Sequence, residues 1–211
     1  MRNNIGFNGI TTTVANLLIA IIGIHLLGVI FFKTALGSFV YSQLWLDPYL
    51  TINSFQIWRL FTYGFIHDLS SPMHVILNCL MIYSMGPILE GYLGIKKFLI
   101  LIFSSIFVGG LFVVGSFLLG LSSSIVLGFS AASMALLIVW GSSFPNEKIY
   151  IFGIFPMSGR NIVFVSIALE IFYSFSSDSI SSAAHFGGII NALILNFCFY
   201  KKINFKKIFK S

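Results

Sequence analysis

Residues 97–120 read KFLILIFSSIFVGGLFVVGSFLLG, with no charge after the opening lysine. A helix that crosses a bilayer needs about 20 mostly apolar residues, and this stretch supplies them. Working outward, comparable apolar runs lie at 13–32, 72–90, 128–144, 160–177 and 183–200. Hydrophobic residues make up 57% of the chain and charged residues 9%, against roughly 25% charged in soluble domains. Six such runs leave no room for a second domain in 211 residues. The expectation is one all-α membrane domain over residues 1–211, with six transmembrane helices in a core of about 13–200 and a basic tail at 201–211.

The net charge of +6 is unevenly placed. With the N-terminus cytoplasmic, Arg2, Lys96, Lys97, Lys148, Arg160, Lys201, Lys202, Lys206, Lys207 and Lys210 fall inside, and only Lys33 and Arg59 outside. Lys and Arg in excess on cytoplasmic loops set orientation. The tail therefore reads as a topology anchor beside anionic lipid, not as a nucleic-acid arm. The first run is longer than a signal-peptide core, and no small-residue cleavage site follows it before Lys33, so it reads as a retained helix. A compact chain without a targeting extension suggests a prokaryotic plasma membrane. Cys79 and Cys198 fall at depths about 12 Å apart, too far for a disulfide.

The longest connection, residues 33–71, holds Trp45, Tyr49, Phe55, Trp58, Phe61, Tyr63 and Phe65. Aromatic rings favour the headgroup level, which predicts short interfacial helices in the outer leaflet. Ser71-Pro72 then reads as a helix start, with serine at the N-cap and proline at the first helical position. The second apolar run ends at Gly86-Pro87-Ile88-Leu89-Glu90-Gly91, and residues 146–159 read as a cytoplasmic loop.

The second, fourth and sixth runs all descend from the outer side. His74, Ser130 and His185 fall two or three residues after their respective starts, at one depth, with Asn78 a turn below His74. Serine is a weak nucleophile until a base takes its proton, and imidazole is a base near neutral pH. His74 and Asn78 are spaced i, i+4 and share a helix face. With the N–H of Ser130 they could bind a developing oxyanion. Asp178, Asp68 and Glu90 fit poorly as a third member, so the expectation is a Ser130–His185 dyad without an acid, and no cofactor.

Each residue alone has a plainer reading. A membrane serine is commonly packing glue, and Asn and His hydrogen-bond between helices. Ser133 is a rival nucleophile one turn from Ser130. Glu170 reads as a structural hydrogen-bonding group, and His25 has no assigned role. Two histidines without a third ligand make a weak zinc site, so no metal is expected. Ala131 and Ala135, and Ala184, Gly188 and Ala192, are spaced four apart, a pattern that lets membrane helices approach closely.

These motifs resemble the rhomboid intramembrane serine proteases. Trp58-Arg59 resembles the outer-loop Trp-Arg element, and His74 to Asn78 the HxxxN of the second core helix. Gly86 to Gly94 resembles the G-x-x-x-E-x-x-x-G that ends that helix. Gly128-Phe129-Ser130-Ala131 resembles the GxSG nucleophile motif, and Ala184-His185-Phe186-Gly187-Gly188 the AHxxG motif. The resemblance implies a rhomboid-like six-helix bundle whose Ser–His dyad lies in a water-filled cavity open to the outside. It makes Ser130 the nucleophile, His185 the base, and His74 and Asn78 the oxyanion donors. The fifth helix and the loop after it would gate lateral access of transmembrane protein substrates from the bilayer. Ala131, Met134 and Ala192 depart from the family pattern at a glycine, an aromatic and a glycine, and none deletes a catalytic group. A catalytically inactive relative that binds membrane helices is the alternative; a small transporter lacks an evident charged pathway or inverted repeat.

Overall fold

The computed structural model describes residues 9–121, 124–151, 155–174 and 180–200. Helix α1 (Thr12–Phe31) starts at Thr11, whose hydroxyl accepts from the Val14 N–H, and it buries Val14, Leu17, Ile21, His25 and Gly28. That i, i+3, i+4 stripe faces the bundle, while Ile19, Leu26, Leu27 and Ile30 on other sides are exposed. A helix so apolar on its outward side suits lipid rather than water.

Residues 33–71 fold into three short helices, α2 (Ala35–Ser42), α3 (Pro48–Asn53) and α4 (Arg59–Thr62), followed by a 3-10 turn at Tyr63–Phe65. Arg59, expected as an outside charge, is fully buried. Its Nη1 donates to the carbonyls of Ser42 at 2.8 Å and Trp45 at 2.7 Å, and its Nε to Gln56 at 2.7 Å. A buried guanidinium is tolerable when its five donors find acceptors, and here it gathers the loop backbone around itself. Backbone hydrogen bonds between Leu46 and Val126 at 2.9 Å in both directions fasten this loop to the segment ahead of the central helix.

Helix α5 (Pro72–Leu93) begins with Pro72 as expected, but the Ser71 side chain makes no cap hydrogen bond. It also runs through Pro87, past the end read from the sequence, and stops at Gly94, whose φ is 81°. Buried Glu90 explains this end: Thr11 Oγ1 donates to it at 2.5 Å and Thr13 Oγ1 at 3.1 Å, tying α5 to the start of α1. Helix α6 (Ile95–Leu118) follows at once. Among the described residues, α1, α5 and α6 are the three helices long and apolar enough to cross a membrane, and shorter apolar helices lie at Ser130–Ser143 and Ser182–Cys198.

Helix α7 (Ser130–Ser143) is the centre of the molecule, packed on α5 and α6 and on two later helices. Eleven of its fourteen residues are buried; the exceptions are Ser130, Met134 and Ser143. The sequence loop at 146–159 contains an antiparallel hairpin, β1 (Lys148–Ile151) with β2 (Phe155–Ser158), pairing Lys148 with Ser158. Helices α8 (Gly159–Ser174) and α9 (Ile180–Ile194) follow, and α9 continues as a π-helical turn over Leu195–Tyr200. The Asp178 turn and the basic tail 201–211 lie outside the described residues. Cys79 and Cys198 are free.

Small residues set how closely α9 approaches. A Cβ on Gly188 would collide with the backbone of Ala131, and one on Gly187 would lie 2.6 Å from the Cα of Gly109 in α6. The four-residue spacing read from the sequence thus falls where α9 meets α7, at Gly188, and Gly187 adds the close approach to α6. Asn191 adds a polar clamp, its Nδ2 donating to Ser104 and Ser105 at 2.8 Å each.

Candidate active site

The site forms where α7 begins. Gly128 has φ 123°, a conformation open to glycine alone, and its N–H donates to the Tyr63 carbonyl at 2.9 Å. A Cβ there would also stand 2.7 Å from His74 Nε2, so the glycine is needed for space as well. Phe129 is fully buried. The turn therefore delivers Ser130 as the first residue of α7, where backbone N–H groups have no partner within the helix.

Ser130 Oγ lies 2.7 Å from His185 Nε2, from α9. Close packing of Gly188, one turn past His185, on Ala131, the residue after Ser130, brings the two side chains together. The other ring nitrogen, His185 Nδ1, lies 2.8 Å from Glu170 Oε2 on α8. A dyad without an acid is the expectation from sequence; the structure instead sets the Glu170 carboxylate beside His185. Glu170 is buried, and its Oε1 has no hydrogen-bond partner.

His74 and Asn78 lie on α5 on the other side of α7's start. Asn78 is engaged on all sides. Its Oδ1 accepts from Ser133 Oγ at 2.7 Å, and its Nδ2 faces the His74 carbonyl at 3.0 Å and His67 Nε2 at 3.3 Å. The rival nucleophile Ser133 is thus 5% exposed and committed to an amide, with no base beside it.

His67, which the sequence reading passed over, joins these groups. It is fully buried in the loop before α5. The Phe129 N–H approaches its Nε2 at 3.4 Å, and its ring stands edge-on to His74 at 5.2 Å and to His25 at 6.5 Å. Burial first, then the neighbouring His74 and His25, push its pKa down to about 3. A neutral ring is what its contacts require, because Nε2 must keep its lone pair to accept from Phe129 and Asn78. The one sequence signal for it is its position, seven residues before His74. Among the described residues, no group of three or more His, Cys, Asp or Glu side chains is arranged to hold a metal.

Apolar helices around a small polar centre define a multi-pass integral membrane protein. Residues 54–202 match the Rhomboid domain family model, which covers well over half of the chain. The chain belongs to the rhomboid family, whose members are generally intramembrane serine proteases. No curated protein matched the chain. A fold of this family suits interaction with the bilayer and with membrane-protein substrates.

Proposed function

We propose that the chain, as a single domain, is an intramembrane serine endopeptidase that cuts peptide bonds within or next to transmembrane segments of membrane proteins. The observation that carries this is the 2.7 Å contact between Ser130 Oγ and His185 Nε2. It occurs at the mouth of a helix that is buried at eleven of its fourteen residues. Ser130 attacks the scissile carbonyl carbon while its proton passes to His185 Nε2. The oxyanion takes hydrogen bonds from the Ser130 N–H and the His74 ring, and from Asn78 once its amide turns away from His67. The imidazolium then gives its proton to the departing amine, leaving an acyl group on Ser130. Water, deprotonated by the same nitrogen, releases it.

Six spans fit this reading, with α7, α8 and α9 completing the set begun by α1, α5 and α6. At 1.5 Å per residue, α7 measures about 21 Å against a hydrocarbon core of about 30 Å. With its far end at the inner boundary, Ser130 stands roughly 9 Å below the outer one. A cavity open to the outside brings water to that depth. Basic residues clustered on the opposite side fit a plasma membrane with the site facing outward.

The test is cleavage of a helical model substrate by purified protein in liposomes. Native protein should cut it and Ser130→Ala should not. Cleavage that persists in Ser130→Ala contradicts the assignment; absence of cleavage by native protein supports the inactive helix-binding alternative.

A further inference from the structure

We propose that Glu170 is the positioning residue of His185, so that the site operates as a Ser130–His185–Glu170 chain rather than a two-residue dyad. This rests on the serine-protease reading above. Three observations carry it. The two ring nitrogens of His185 are occupied on opposite sides, Nε2 by Ser130 at 2.7 Å and Nδ1 by Glu170 at 2.8 Å. A carboxylate only accepts, so it fixes the ring proton on Nδ1 and leaves the Nε2 lone pair facing the serine. That is the tautomer a general base needs.

Second, Glu170 is an expensive way to join two helices. It is 6% exposed, and its Oε1 is unpartnered. A buried carboxylate is costly in an apolar bundle even with the Ser182 hydroxyl donating to it, whereas an asparagine or glutamine would tie α8 to α9 without charge, as Asn191 ties α9 to α6. The charge is accounted for by a partner that becomes positive during the reaction. When the Ser130 proton reaches Nε2, Nδ1–H remains on the ring and the imidazolium faces the carboxylate; no proton moves to Glu170.

Third, Asp68 and Glu90 are engaged elsewhere. Asp68 Oδ1 accepts from the Ser70 N–H at 2.8 Å and its hydroxyl at 2.6 Å. Glu90 is held by Thr11 and Thr13 at the other end of α5. Among the described residues, the ionisable groups facing His185 are Glu170 from α8 and His74 from α5. α7 has none, and α6 carries only Lys96 and Lys97, a dozen residues or about 18 Å from the Gly109 that packs on Ala184.

The experiment compares native protein with Glu170→Gln and Glu170→Asp, reading cleavage against pH in liposomes and the His185 ring protons by NMR after 15N-histidine labelling. Loss of the carboxylate should lower kcat by about a hundredfold or more, within the range for a disabled general base, with KM within about threefold. The acidic limb of kcat/KM should move to lower pH, because the imidazolium loses its counter-charge. Glu170→Asp, which keeps the charge at reduced reach, should fall between. In native protein an Nδ1–H resonance at low field should appear and vanish in Glu170→Gln. A Glu170→Gln enzyme with native rate and an unmoved acidic limb overturns the inference while leaving the protease reading intact. So does a rate lost only in step with thermal stability, with the limb unmoved. If native protein cuts nothing, the protease reading fails and the NMR arm decides: a native resonance insensitive to Glu170→Gln, or no resonance at all, overturns the pairing.

Discussion

Ser130 and Ser133 stand one turn apart on α7, yet they belong to opposite kinds of polar network. Ser133 is buried and donates to Asn78, whose amide is spent on the His74 carbonyl and His67. Ser133 and Asn78 have settled partners, and such a closed network stabilises and specifies the packing even with His67 Nδ1 unpartnered. Ser130 is half-buried, its oxygen rests on an imidazole, and that imidazole leads to a carboxylate with one unused oxygen. An open network keeps a proton poised to move. The difference teaches that depth in the membrane makes a serine noteworthy, but the identity of its partner makes it reactive.

The largest effect that could break this comparison is at the open network. His185→Ala should lower cleavage by on the order of 10⁴-fold or more, as for removal of a base acting in concert with its serine, measured on a helical substrate in liposomes. Asn78→Ala tests whether the closed network also reaches the chemistry. If the amide turns to the oxyanion, kcat should fall about 10²- to 10³-fold, or roughly 3 kcal/mol of barrier. An unchanged kcat with lowered stability would confine Asn78 to packing.

Gly188→Val should separate the two networks. The new side chain meets the Ala131 backbone, costing about 2–3 kcal/mol by overpacking. It should draw His185 away from Ser130 while leaving the Ser133–Asn78 contact, within α5 and α7, in place. Unfolding in detergent combined with fluorophosphonate labelling would read both.

His67 gives the closed network a pH dependence. Its native pKa of about 3 lies below the ordinary 6.5, so the unfolded chain binds more protons between those values. Stability therefore falls as pH drops from about 6.5 toward 3, by about 2 kcal/mol at pH 5, and His67→Asn should flatten that slope. The smallest effect is Ser133→Ala, about 1 kcal/mol of stability for one buried hydrogen bond, with cleavage within about threefold of native.

Much of this was legible in the sequence. The apolar runs, the common level of His74, Ser130 and His185, and the four-residue spacing of Ala131, Ala184, Gly188 and Ala192 all rest on periodicity and length, which a single chain displays. Glu170 was not, for a definite reason. Ends set at 177 and 183 put Glu170 seven residues and His185 two residues from their turn, about 8 Å apart in depth. The helices end at Ser174 and begin at Ile180, which brings the two side chains level. Rotation about each helix axis, which decides that they face one another, leaves no mark in sequence spacing. The burial of Arg59 was hidden similarly, since its acceptors are backbone carbonyls 14 and 17 residues away. The hairpin at 148–158 was lost because short alternation beside Pro145 and Gly159 reads as loop.

The most direct test of the central claim is to label the purified protein with a fluorophosphonate and map the adduct by peptide mass spectrometry. One adduct is expected, on Ser130, that survives Ser133→Ala and disappears in both Ser130→Ala and His185→Ala. An adduct on Ser133, or labelling of Ser130 that is indifferent to His185, would contradict it.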